Sequence, residues 1–100
     1  MESKLTLDQL VWVQPDLAPY VGRVIKALRT EAALNQEAAA DLAKVDRSYW
    51  SAVERGANTN PSIATLQKFT WIFNVGLDEL FVRARAMAEV DQTRKSRAKS

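Results

Sequence analysis

Apolar residues recur at spacings of three and four along most of this chain, a pattern typical of amphipathic helices rather than strands. The clearest stripe consists of Val21, Val24, Ile25, Leu28 and Ala32. Glycine and proline, the residues that most often interrupt a helix, number only three each. The pattern therefore predicts an all-α fold.

Residues suited to helix ends divide this pattern into five helices. The first is expected to begin near Pro19, because proline is tolerated in the first turn of a helix. The next two are predicted at 36–43 and 47–55, a fourth follows, and the fifth begins near Leu77 and extends to about Val90. The predicted end residues are Asn35, Asp46 and Ser62 as N-caps, and Gly56 and Asn74 at C-termini.

Only three residues, 44–46, separate the second and third predicted helices. So short a connection forces a sharp angle, which is the helix-turn-helix arrangement. On a helical wheel Tyr49, Trp50 and Val53 share one face of the third helix and are expected to pack in a core. The other face could enter a DNA major groove, about 12 Å wide, or could simply be solvated. Its side chains are basic, hydroxyl-bearing or very small: Arg47, Ser48, Ser51, Ala52 and Arg55.

Length and charge give the domain organisation. One hundred residues are the size of one domain. We expect an N-terminal extension at 1–18, the folded domain at 19–91, and a basic, disordered tail at 92–100. The tail could add salt-sensitive, non-specific affinity for DNA, or it could only keep the protein soluble.

The composition excludes several function classes. The formal net charge of +2 permits nucleic-acid binding. The absence of cysteine and histidine excludes disulfides, thiol nucleophiles, the usual zinc sites and imidazole acid–base chemistry, and it fits a reducing compartment. Without a phosphate-binding glycine loop or a nucleophile–base pair, we expect no enzyme activity, no cofactor and no metal. No apolar stretch approaches the roughly 20 residues of a membrane span, and no signal peptide is evident. We expect a cytoplasmic protein without membrane association.

Three segments resemble the phage repressor/Cro, or XRE-type, helix-turn-helix family: LNQEAAADLAKVDRSYWSAVERG, NPSIATLQKF and NVGLDELF. The resemblance covers residues 20–81, and residues 34–56 match the family pattern without any insertion. It implies a compact five-helix, repressor-like DNA-binding domain. The stretch DRSYWSAVERG also resembles the controller proteins of restriction-modification systems, a subgroup of this family.

The resemblance implies a set of DNA contacts. Gln36 matches a glutamine that contacts the DNA backbone and supports the first recognition residue. Arg47 and Ser48 match the positions that contact base edges, and Ala52 matches a third such position without a polar group. The expected phosphate contacts are Tyr49, Ser51, Arg55, Asn58 and Asn60. Gln36 could instead only favour helix initiation, and Tyr49 could pack in the core.

The resemblance also implies structural residues. Arg29 and Glu54 match an internal salt bridge, and Trp50 and Val53 are expected to hold the third helix on the core. Trp50 replaces a smaller residue, so we expect it to fill space left by small alanines in the second helix. Lys44 stands where glycine is frequent, at a cost of about 1 kcal/mol if the backbone is left-handed there.

The expected function is sequence-specific binding of double-stranded DNA by a homodimer that regulates its own gene from a palindromic operator. The candidate dimer contacts are Trp71, Leu77, Phe81 and Ala84. An exposed Trp71 could be covered by the 1–18 extension or by a second subunit, or could stay partly exposed against the fifth helix. The alternatives are an antitoxin with a protein partner bound through the terminal extensions, and a protein-interaction module with little contact to DNA.

Overall fold

The computed structural model describes residues 16–57 and 61–98, with side chains described through Lys95. Within these ranges the chain is all-α, as the hydrophobic pattern predicted, and contains no strand. The helices are α1 Ala18–Glu31, α2 Gln36–Ala43, α3 Arg47–Glu54, α4 Ile63–Trp71 and α5 Leu77–Ala98. The predicted extension therefore lies almost entirely outside the described residues.

The three predicted N-caps are confirmed. The Asn35 side chain accepts a hydrogen bond from the backbone N–H of Ala38 at 2.8 Å, which begins α2. Asp46 caps α3, and the Ser62 hydroxyl accepts from the backbone N–H of Thr65 at 3.1 Å to begin α4. Each cap satisfies a donor that the first turn of a helix leaves unpaired, so the sequence locates these helix starts.

Left-handed backbone ends the inner helices. Gly56 (φ 63°) and Asn74 (φ 56°) adopt it, as the sequence predicted, and so does Lys44 (φ 61°), whose conformation the sequence left open. Gly56 has a second reason to be glycine, because a Cβ there would lie 2.6 Å from the Cα of Pro19. Ala33 (φ 58°), after α1, was not predicted, since alanine carries no turn signal.

The core is centred on a buried aromatic stack. The Trp50 indole lies 4.4 Å from the Phe69 ring at an interplanar angle of 18°, and Phe73 meets it edge-on at 6.3 Å. Ala39 and Ala43 of α2 are buried in the same cluster. Small residues on α2 and a large one on α3 therefore share one space, as the sequence indicated.

Helix α1 packs against both α3 and α5. The contact with α3 depends on Gly22, where a Cβ would lie 2.4 Å from the carbonyl oxygens of Val53 and Glu54. Only glycine allows this approach, which seats the last turn of α3 on α1. Gly22 was not predicted as a packing residue, although a glycine inside an apolar helical stripe is a signal of close backbone packing.

Helix α5 is longer than predicted. The expectation of disorder from residue 92 is wrong through Ala98, which is still helical. No glycine or proline lies between Leu77 and Ala98 to stop the helix. Arg23 of α1 also binds Asp91 at 3.0 Å and ties the distal half of α5 to the domain. Among the described helices, none combines the length and hydropathy that crossing a bilayer requires.

Candidate nucleic-acid interface

Helices α2 and α3 are packed together across the three-residue turn, and α3 is held from behind. Trp50 and Val53 are buried on its inner side. On the opposite side Arg47, Ser48 and Arg55 are exposed. Helix α3 therefore projects a polar face outward from a fixed back, which is the geometry that groove binding requires.

Six side chains line a concave surface at this face, here called the α3 surface: Gln36, Asp46, Arg47, Ser48, Ser51 and Arg55. Five of them were predicted as DNA contacts. The sixth, Asp46, was predicted only as a helix cap. Two guanidinium groups and two hydroxyl groups give the surface hydrogen-bond donors and positive charge, and one carboxylate stands among them.

Asp46 contacts Ser48 twice. Its Oδ2 accepts a hydrogen bond from the backbone N–H of Ser48 at 3.1 Å, and the Ser48 hydroxyl donates to the same oxygen. The hydroxyl bond and the backbone bonds outweigh desolvation and lower the pKa of Asp46 below its usual value. A serine two positions after an N-cap aspartate was the signal available in the sequence.

Beneath the α3 surface, Glu54 accepts hydrogen bonds from three side chains. Arg29 donates from Nε to Oε2 at 2.6 Å and from Nη2 to Oε1 at 3.1 Å, forming the ion pair that the resemblance implied. The Trp50 indole N–H donates to Oε2 at 2.7 Å, and Gln36 Nε2 donates to Oε1 at 2.9 Å. Arg29 also donates to the Leu34 carbonyl at 2.8 Å. Together these bonds join α1, α2 and α3.

The charges of this cluster stabilise one another. Burial raises the pKa of Glu54, but the hydrogen bonds from Arg29, Gln36 and Trp50 outweigh it and hold the pKa below the usual glutamate value. The bond to Glu54 likewise raises the pKa of Arg29, against the effect of burial. Among the described residues, no buried side-chain nitrogen or oxygen lacks a hydrogen-bond partner. Glu54 is therefore a carboxylate held charged inside the domain.

Gln36 differs in part from its expected role. It lines the α3 surface, but its amide donates to Glu54 at the end of α3 rather than supporting Arg47. The charged carboxylate is the stronger acceptor within reach. Gln36 is therefore positioned by the buried cluster, and this favours a structural contribution beyond helix initiation.

The other predicted contact residues are placed differently. The half-buried Tyr49 packs on the core, with its ring edge-on to Phe69 at 6.0 Å, which favours the packing interpretation. Ala52 is partly exposed on α3. Asn58 and Asn60 lie outside the described residues.

The four candidate dimer residues differ in their exposure to solvent. Trp71 is 69% exposed and Phe81 is 38% exposed, so both present apolar surface. Leu77 is half-buried against the core. The prediction for Ala84 is wrong, because it is completely buried on the inner side of α5 with Leu80. Its spacing of four residues from Leu80 places it on the stripe that packs into the domain, where a second subunit has no access.

Comparison with known proteins gives a consistent set of relatives. A family model described as a helix-turn-helix domain matches residues 21–80. SlrR of Bacillus subtilis, an HTH-type transcriptional regulator, is 36% identical over 69 residues, which are 69% of this chain and 45% of SlrR. The chain spans about half the length of the curated relatives that it matches.

Solved structures agree with this match. The clp gene regulator ClgR from Corynebacterium glutamicum has a TM-score of 0.80 at 17% identity, over 87% of this chain and 92% of that one. At this identity the likeness shows the fold alone. The restriction-modification controller protein C.Esp1396I, bound to a 25-base-pair operator site, has a TM-score of 0.60 at 30% identity, over 71% of this chain and 92% of that one.

Proposed function

This chain belongs to the XRE-type helix-turn-helix family of DNA-binding transcriptional regulators, and on that premise we propose that it binds a palindromic operator as a cytoplasmic homodimer and regulates its own gene. The α3 surface enters the major groove. The observation that carries the proposal is the position of α3, whose inner side is held by Trp50 and Glu54 while Arg47 and Ser48 face solvent.

The dimensions and chemistry of α3 suit a major groove. Eight residues make a rod about 12 Å long, comparable to a groove width of about 12 Å. Ser48, Ser51 and Ala52 are small enough to let the helix approach base edges closely. In this proposal Arg47, in the first turn, donates two hydrogen bonds to guanine, and Arg55, one turn beyond Ser51, contacts phosphate.

A preformed interface supports tight binding. The bond from Gln36 to Glu54 joins α2 to α3, and the two bonds from Arg29 join α1 to α3, so the orientation of α3 is set before any duplex is present. Binding therefore loses little conformational entropy in the backbone of the helix-turn-helix. The relative C.Esp1396I is bound to an operator site in its solved structure, and the likeness to that protein supports duplex DNA as the ligand of this chain.

A homodimer follows from the small size of one recognition helix. A single α3 contacts only a few base pairs, so affinity and specificity require two half-sites about 34 Å apart. Trp71 and Phe81 supply exposed apolar surface for self-association. Because dimers form only as the chain accumulates, occupancy of an operator at its own promoter would report the concentration of the protein.

The test is selection of bound duplexes from a random pool, followed by affinity measurements on the selected site. We expect a two-fold symmetric site. Arg47→Ala should lower the affinity and relax the preference at one base pair in each half-site, by about 1–3 kcal/mol. Arg85→Ala, which removes an exposed arginine on α5, is the matched control and should leave that preference unchanged.

Two outcomes would contradict the proposal. If no duplex is enriched although the chain is folded, the fold acts as a protein-interaction module instead. If a site is enriched but Arg47→Ala and Gln36→Ala bind it as the wild type does, the DNA lies elsewhere than on the α3 surface.

A further inference from the structure

The proton of the Ser48 hydroxyl is donated to its own helix cap, Asp46. Ser48 Oγ donates to Asp46 Oδ2, the same oxygen that accepts the Ser48 backbone N–H. A serine hydroxyl has one donor and two acceptor positions. With its proton used by the carboxylate, the exposed oxygen of Ser48 can only accept hydrogen bonds.

Asp46 keeps the hydroxyl in this state at neutral pH. An ionised carboxylate accepts hydrogen bonds and cannot donate one, so the proton between the two side chains belongs to the serine. Bonds to a charged acceptor are also about twice as strong as those between neutral groups. Rotating the Ser48 proton toward a base would remove this bond from the carboxylate in a place where the bound DNA excludes the water that could replace it.

The bases differ in what they offer such an acceptor. In the major groove, adenine presents an amino group at N6 and cytosine one at N4, whereas guanine and thymine present acceptors at O6, N7 and O4. An acceptor-only side chain therefore bonds adenine or cytosine on the strand that it faces. It repels the lone pairs of guanine or thymine there.

We propose, resting on the proposed function, that the Asp46–Ser48 pair is a specificity-determining device that selects an amino-bearing base, adenine or cytosine, on the contacted strand. Ser48 contacts the base, and Asp46 acts as a positioning residue by holding the hydroxyl proton. Arg47, next to it on the α3 surface, presents only donors and selects guanine. Two adjacent residues of α3 thus impose opposite requirements on neighbouring bases.

The experiment compares four proteins on the selected operator and on duplexes with each base pair inverted in turn. The proteins are the wild type, Ser48→Ala, Asp46→Asn and the control Thr93→Ala, which removes an exposed hydroxyl on α5 away from the α3 surface. Inverting an A·T or G·C pair keeps its composition but moves the amino group to the other strand. The position that Ser48 contacts is identified as the one whose preference Ser48→Ala removes.

At that position we expect the wild type to prefer adenine or cytosine on one strand by about tenfold or more. Ser48→Ala should remove the preference. Asp46→Asn should weaken it while the protein stays folded, because asparagine is an equally good N-cap but no longer demands the serine proton. Thr93→Ala should keep the preference. The folded state of each variant is checked by its thermal unfolding.

A base analogue gives a second readout that does not depend on folding. If the preferred base is adenine, replacing it by purine removes the amino group and keeps N7. If the preferred base is cytosine, replacing it by 2-pyrimidinone removes the amino group at N4. Either analogue should weaken binding by the wild type about as much as Ser48→Ala does, and should leave the affinity of Ser48→Ala unchanged.

The inference is overturned if Ser48→Ala removes a preference for guanine or thymine, if it removes none, or if the analogue binds as well as the natural base. These results concern a wild type that binds its operator. Failure of the wild type to select any duplex would overturn the proposed function instead, so the two failures are distinguishable.

Discussion

Gln36 begins α2 and Glu54 ends α3, and a hydrogen bond of 2.9 Å between their side chains closes the helix-turn-helix at its two outer ends. The turn at 44–46 connects the inner ends of the same helices. The angle between the helices is therefore held at two places. The same carboxylate binds Arg29 and Trp50, so the orientation of α3 depends on one buried charge.

Replacement of Glu54 by alanine should destabilise the domain by about 3–5 kcal/mol, since it leaves the Arg29 guanidinium buried without its counter-charge. Urea unfolding at neutral pH measures the effect. The matched control is Glu89→Ala, which breaks the exposed pair with Arg85 and should change the free energy of unfolding by less than about 1 kcal/mol. Equal effects of the two variants would contradict a structural role for the buried pair.

Stability should fall at acid pH through Glu54. Its pKa in the folded state is lowered from 4.5, so below about pH 4.5 the unfolded chain takes up a proton that the folded chain does not. The stabilisation is therefore present above this pH and is lost as the pH decreases further. Urea unfolding at a series of pH values measures it. Glu54→Gln, which cannot titrate, should show a shallower decline than the wild type, and parallel curves would disprove the assignment.

Lys44→Gly should stabilise the protein by about 1 kcal/mol, because a lysine at φ 61° is strained and a glycine is not. The midpoint of thermal unfolding measures the change. The control is Ala86→Gly on the exposed side of α5, which should destabilise by about 0.5–1 kcal/mol, since glycine weakens a regular helix. A loss of stability in both variants would show that residue 44 does not keep the left-handed conformation in solution.

Trp71→Glu should weaken the proposed homodimer at least tenfold, because it places a charge in the exposed apolar surface that the second subunit is proposed to cover. Sedimentation equilibrium over a range of concentrations gives the dissociation constant. Leu42→Glu is the matched control, since Leu42 on α2 is 58% exposed and was not assigned to the dimer. If only Leu42→Glu weakens association, the dimer surface lies on α2.

Asp91→Ala should release the distal part of α5 with little effect on global stability. The ion pair with Arg23 is exposed, so its loss should change the free energy of unfolding by less than about 1 kcal/mol. Amide hydrogen exchange in residues 92–98 should become faster, while exchange in α1 stays slow. Unchanged protection in residues 92–98 would mean that helix propensity alone maintains this end of α5.

The prediction of helix ends succeeded because capping is a local property. Asn35, Asp46 and Ser62 each bond a backbone N–H within the next three residues, so neighbouring positions contain all the necessary information. The left-handed conformations of Lys44 and Asn74 are also local, because each residue lies just after the end of a helix. The tail was mispredicted because its helix depends partly on Asp91 meeting Arg23, 68 positions earlier in the chain.

The sequence by itself determined the all-α class, the short turn before α3 and the two faces of α3, because each follows from periodicity and from contacts between near neighbours. Only the tertiary structure decided that Gln36 bonds Glu54, that Gly22 lies against the end of α3, and that Ala84 is buried. The first two are contacts between residues far apart in the chain. All three are decided by how the helices pack rather than by local pattern. The direction of the Ser48 proton, by contrast, is a local detail, because its acceptor Asp46 lies only two positions earlier in the chain.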